Sequence, residues 1–183
     1  MKKIFYILAI CLFKFNFAYS LIEVDITRGN LDPLPIAVSP LYVDTQSDNY
    51  QDAKVKGLGD LISSVVEKNF KSTGLFNPLN KDAFVQKPDI AHLKPRFEDW
   101  RLITAQALVT GKLLVKDEKL KIEFRLWDVA ANKEMIALAF TTTPSNWRRV
   151  AHIISDKIYE RLTGESGYFD TRIIYVSETG PRT

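Results

Sequence analysis

The chain has 183 residues, 46% of them hydrophobic, with 25 Lys and Arg against 22 Asp and Glu and one cysteine. That length suffices for one hydrophobic core, and a formal charge of +3 is too small to argue for a nucleic-acid partner. A lone cysteine excludes an intrachain disulfide and a cysteine-based zinc site.

Residues 1–20, MKKIFYILAICLFKFNFAYS, begin with Lys2 and Lys3 and continue into an apolar run, Ile4–Phe13, too short to span a bilayer. Ala18 and Ser20 are small residues at the −3 and −1 positions of a cut after Ser20. The segment reads as a secretory signal peptide. Lipid attachment at Cys11 is disfavoured, because Ile10 is bulky and the run before it is short. Cleavage would remove three lysines and the cysteine, leaving 22 basic against 22 acidic residues. The basic isoelectric point therefore belongs to the leader. No later run is long and apolar enough to suggest a membrane span.

In Leu21–Gly29, LIEVDITRG, Ile22, Val24 and Ile26 alternate with Glu23, Asp25 and Thr27, a period-two strand pattern. Its position just after the expected cut leaves two readings, an ordinary first strand or an arm that adds to another protein's sheet. The pattern alone favours the ordinary strand. Pro35–Val43 predicts a short buried strand with Pro40 at an edge or bend, and Asp44–Asp52 a polar loop. Lys56–Lys71 predicts a helix through Leu58, Leu61, Ile62, Val65, Val66 and Phe70, closed by Gly74. Leu75–Leu79 reads as a short strand or turn, and Asn80–Pro95 as irregular. Phe97–Ile103 predicts a short helix with Glu98 and Asp99 in a favourable first turn.

Three strands follow: Ala105–Val115, Leu120–Trp127, and one marked by Ile136, Leu138 and Phe140. Turns fall at Asp117-Glu118 and Ala131–Lys133. The alternation is cleanest where Leu120, Ile122, Phe124 and Leu126 interleave with Lys121, Glu123 and Arg125. Asn146–Leu162 predicts the longest helix, with Trp147, Val150, Ala151, Ile154, Ile158 and Leu162 on one stripe, Ser145 or Asn146 as cap and Gly164 as stop. The fold class that follows is α+β: a two-layer domain with a mixed or antiparallel sheet and two main helices packed on one face. Tyr168–Ser177 holds one more strand-like run, Ile173–Val176.

The catalytic inventory is thin. His152 and Asp156 lie four apart on one helix face, which reads as a surface contact, and a hydrolase built on them lacks a supported nucleophile. His92 lies in the irregular segment. No phosphate-binding, dinucleotide, metalloprotease or nucleophile-elbow motif is present. Trp100, Trp127 and Trp147 suit core positions, because basic residues do not interleave with them. The expectation is no enzyme, no catalytic residue, no cofactor and no metal.

Asp156–Val176, DKIYERLTGESGYFDTRIIYV, resembles the junction segment of the TolB family, periplasmic components of the Tol–Pal envelope system. Leu21–Gly29 is similar to the family's N-terminal arm, and Ser72-x-Gly74-x-Phe76 with Pro78-Leu79 to a helix end and short strand of its first domain. The resemblance implies a signal peptide at 1–20, a TolA-binding arm at 21–33, an α/β domain at 34–167, and at 168–183 the first strand of a β-propeller otherwise missing. The arm residues would be Leu21, Ile22, Glu23, Val24, Asp25, Ile26, Thr27, Arg28 and Gly29. It implies a non-enzymatic periplasmic adaptor linking inner-membrane TolA to the outer membrane, for envelope integrity and invagination at division. Pal binds the family's propeller, so no residue here inherits that surface. The alternative is a stand-alone periplasmic α/β module regulating cell-wall synthesis or secretion.

Overall fold

The computed structural model describes residues 22–24 and 32–171. The expected signal peptide and the strand-like run at Ile173–Val176 lie outside them. Strands β1 (Leu34–Val38) and β2 (Tyr42–Val43) are followed by helices α1 (Ala53–Lys56) and α2 (Leu58–Thr73), then β3 (Phe76–Pro78). Short helices α3 (Pro88–Ala91) and α4 (Phe97–Leu102) precede the long strands β4 (Ala107–Lys116), β5 (Lys119–Asp128) and β6 (Lys133–Thr142), and helix α5 (Trp147–Thr163) comes last.

The sheet order is β3-β1-β4-β5-β6, with β2 also paired to β4. β1 is parallel to β3 and β4, whereas β4–β5 and β5–β6 are antiparallel. This is the mixed α+β sheet expected from the pattern. The break at Ser39–Leu41 splits the strand expected at Pro35–Val43 in two, and both pieces bond β4. The prolyl nitrogen of Pro40 cannot donate to a ladder, so the strand divides around it. Asp117 and Glu118 both take positive φ, 51° and 58°, in the two-residue turn between β4 and β5. That backbone twist matches the strands it joins.

α2 and α5 pack together on one sheet face. Ile62, Val66, Phe70, Ile154, Ile158 and Leu162 from the helices meet Ile36, Leu113, Leu120, Ile122, Phe124 and Leu126 in one core. Leu120 through Leu126 bury alternate positions, as period two requires. Leu138 faces Phe124 but remains 39% exposed, because β6 is the edge strand.

The irregular segment has a function the sequence pattern did not show. With α4 it covers the opposite sheet face, where Ala91 and Trp100 join Ala37, Ala105, Leu108 and Val129 in a second, smaller core. The Trp100 indole N–H donates to Gln86 Oε1 at 3.0 Å, and the same oxygen accepts the Arg96 backbone N–H at 2.9 Å. Buried polar atoms are thus satisfied inside an apolar plug. Trp100 is fully buried, while Trp127 and Trp147 are half-buried.

Candidate docking site at the N-terminal arm

The C-terminal end of α5 and the end of β5 form the seat of the chain's first described residues. Helix α5 ends at Gly164, whose φ of 77° is one that a side chain would strain. The last carbonyls of a helix have no partner within it. Here Leu162 O accepts the Val24 backbone N–H at 2.7 Å. At the end of β5, the buried Asp128 accepts two backbone N–H groups. Its Oδ1 takes Ala131, 2.8 Å away, and closes the β5–β6 turn. Its Oδ2 takes Ile22 at 3.2 Å.

Ile22 and Val24 are half-buried against the main core, and Glu23 between them faces solvent. The alternation read from the sequence therefore survives as inward and outward pointing. Its three described residues, Ile22–Val24, belong to no strand, and the N–H groups of Ile22 and Val24 go to a carboxylate and a helix carbonyl. Leu21, Asp25, Ile26, Thr27, Arg28 and Gly29 lie outside the described residues. Beside Glu23 an open groove of about 480 Å³ runs past Ile136, Lys157, Glu160 and Arg161. The Glu160 carboxylate, 2.9 Å from Lys157 Nζ, holds that ammonium above its usual range.

Asp156 corrects the pairing expected with His152. Its carboxylate instead accepts the backbone N–H groups of Phe169 at 2.7 Å and Asp170 at 3.1 Å. It thus clasps the segment after α5 to the helix. A β-carbon on Gly167 would lie 2.4 Å from Asp156, so that position admits only glycine without movement. Tyr159, Tyr168 and Phe169 pack edge-on beside the clasp, and burial pushes the Tyr159 hydroxyl above its usual range. His152 Nδ1 faces Asn69 Nδ2 at 3.0 Å, and the same amide donates to Ser155 Oγ at 2.8 Å. The Ser155 hydroxyl in turn donates to Ala151 O. These groups tie α2 to α5 and present no nucleophile–base–acid line. His92 is buried, stacks on Tyr42 and bonds Pro88 O through Nδ1.

The helix cap also differs from expectation. Asn146 makes no side-chain cap; its amide bonds Thr142 Oγ1, because a short 3₁₀ turn, Pro144–Asn146, leads into α5. Among the described residues no cluster of three or more His, Cys, Asp or Glu could hold a metal ion, and no helix is long and apolar enough to cross a membrane.

A family model described as the TolB amino-terminal domain matches residues 22–135, from the seated residues into β6. The chain belongs to the TolB family. It is 70% identical over 168 residues to the Tol-Pal system protein TolB of Pelagibacter ubique (strain HTCC1062), a match covering 91% of this chain. The same match covers 38% of that relative, so the chain spans well under half of its length. The crystal structure of TolB from Acinetobacter baumannii superposes with a TM-score of 0.60 at 21% identity, over 81% of this chain and 33% of that one. That likeness shows the TolB amino-terminal fold, in agreement with the family resemblance read from the sequence.

Proposed function

We propose that this TolB-family chain is a non-enzymatic periplasmic component of the Tol–Pal system, and that residues 21–33 are an arm that docks on TolA of the inner membrane. In this role it helps link the two membranes, for envelope integrity and for invagination at division. The carrying observation is the seat: Ile22 and Val24 are held by two backbone N–H bonds outside the sheet. Each such bond contributes about 0.5–1.5 kcal/mol net, somewhat more where a charge accepts it. A competing sheet edge would offer the arm a run of backbone bonds, with Ile22, Val24 and Ile26 setting the register. No residue of this chain is proposed to bind Pal, and none to act in catalysis.

The test is a pull-down of the full chain with the TolA C-terminal domain. Binding is expected, and deletion of residues 21–33 is expected to abolish it. Unchanged binding after the deletion would remove the arm from the mechanism.

A further inference from the structure

At the other end of α5 lies an apolar groove of about 340 Å³. Its walls are Val55 of α1, Leu58 and Leu61 of α2, Val115 of β4, and Pro144 and Trp147 at the start of α5. Leu61 is 46% exposed and Trp147 half-buried, so the groove presents large apolar groups to solvent. A concave site of this composition, with an aromatic wall, suits a bulky apolar anchor.

Among the described residues, the one charged side chain that lines it is basic. Lys54 lines the groove, and the Arg148 guanidinium lies 5.0 Å from the centre of the Trp147 ring. Among the described residues neither has a carboxylate within 4.0 Å. The first turn of the 17-residue α5 carries no acid and no side-chain cap, so the positive end of its dipole adds to theirs. The acids closest in the chain and in the sheet, Asp52, Asp60 and Asp48, do not line it: Asp52 accepts the Lys54 backbone N–H, Asp48 accepts that of Asp117, and Asp60 lines a different groove beside Tyr42 and Pro88. Residues 1–21 contain no acid, and residues 172–183 hold Glu178 against Arg172 and Arg182, so neither of these stretches complements the groove's charge.

We infer that this groove is a second docking surface, for an acidic amphipathic segment of a partner protein. A large aliphatic or aromatic side chain would enter between Trp147 and Leu61, and a neighbouring carboxylate would meet Lys54 and Arg148. The arm seat is at the opposite end of α5, so the two surfaces are separable.

The probe is a fluorescein-labelled synthetic peptide with leucine and phenylalanine spaced between glutamates, titrated against the full chain. Its counterpart has every glutamate replaced by lysine. Saturable binding of the acidic peptide is expected, weakened by salt, with amide shifts centred on Val55–Leu61 and Trp147. Leu61→Glu and Lys54→Glu, both at exposed positions, should each weaken it roughly tenfold while the thermal midpoint is retained. Deleting residues 21–33 should leave it unchanged. Equal binding of the lysine peptide, shifts centred elsewhere, or indifference to both substitutions would overturn the proposal. So would binding of the same residues to phosphatidylglycerol vesicles in preference to the peptide, which would make the surface a lipid site.

Discussion

Two stretches near the start of the described chain have similar residues and opposite fates. Ile22-Glu23-Val24 and Leu34–Val38 are both rich in branched apolar side chains. β1 is hydrogen-bonded on both sides, to β3 and β4, and Ile36, Ala37 and Val38 are at most 2% exposed. Ile22 and Val24 rest half-buried on the rim of the same core, with one N–H bond each. Apolar alternation thus establishes which side of a segment faces the protein. Whether a segment joins the sheet depends on the backbone partners it finds, and among the described residues Ile22 and Val24 find none in a strand.

The sharpest way to break this comparison is to cut a side chain from each stretch. Ile36→Ala is expected to cost about 2–5 kcal/mol, because a fully buried site in a paired strand cannot collapse around the cavity. Urea unfolding measures it. Asp128→Ala should cost about 1–3 kcal/mol, since Ala131 N–H and Ile22 N–H both lose their acceptor. Its distinguishing sign is faster amide exchange at Ile22 than global unfolding allows. Ile22→Ala combined with Val24→Ala should cost only about 1 kcal/mol globally, yet speed proteolysis of the arm. A cost matching that of Ile36→Ala would make the arm a part of the core.

The smallest effect concerns a group that touches neither stretch. Burial raises the Glu67 carboxyl above its ordinary range, although Lys81 Nζ, 3.2 Å away, opposes the shift. The native state then holds this proton more tightly than the unfolded chain. Stability therefore falls as pH rises through the carboxylate range and just above it. Glu67→Gln should flatten that slope, as urea unfolding followed across the acid range would show. The change should appear in amide exchange at Ile36 and Val38 and be absent at Val24, because only global unfolding exposes β1.

Elements whose burial is one-sided and regular were legible in the amino-acid pattern. Leu120–Leu126 declared β5, the stripe from Val150 to Leu162 declared α5, and Gly164 declared its end, because each periodicity belongs to one backbone geometry. The motifs around Gly74 and Gly167 also declared the family, and the clasp on Asp156 shows why glycine stands at 167. The rest was settled by long-range packing. Trp100 and Gln86 became the centre of a second core because a distant sheet face needed covering, and no local pattern records that need. Asp156 turned from His152 to the backbone of Phe169 and Asp170 because those N–H groups come within reach only after the chain folds back on α5. The seat of Ile22 and Val24 likewise depends on Leu162 and Asp128, more than a hundred residues away. Side-chain spacing fixes a face; which partner meets that face is set by packing.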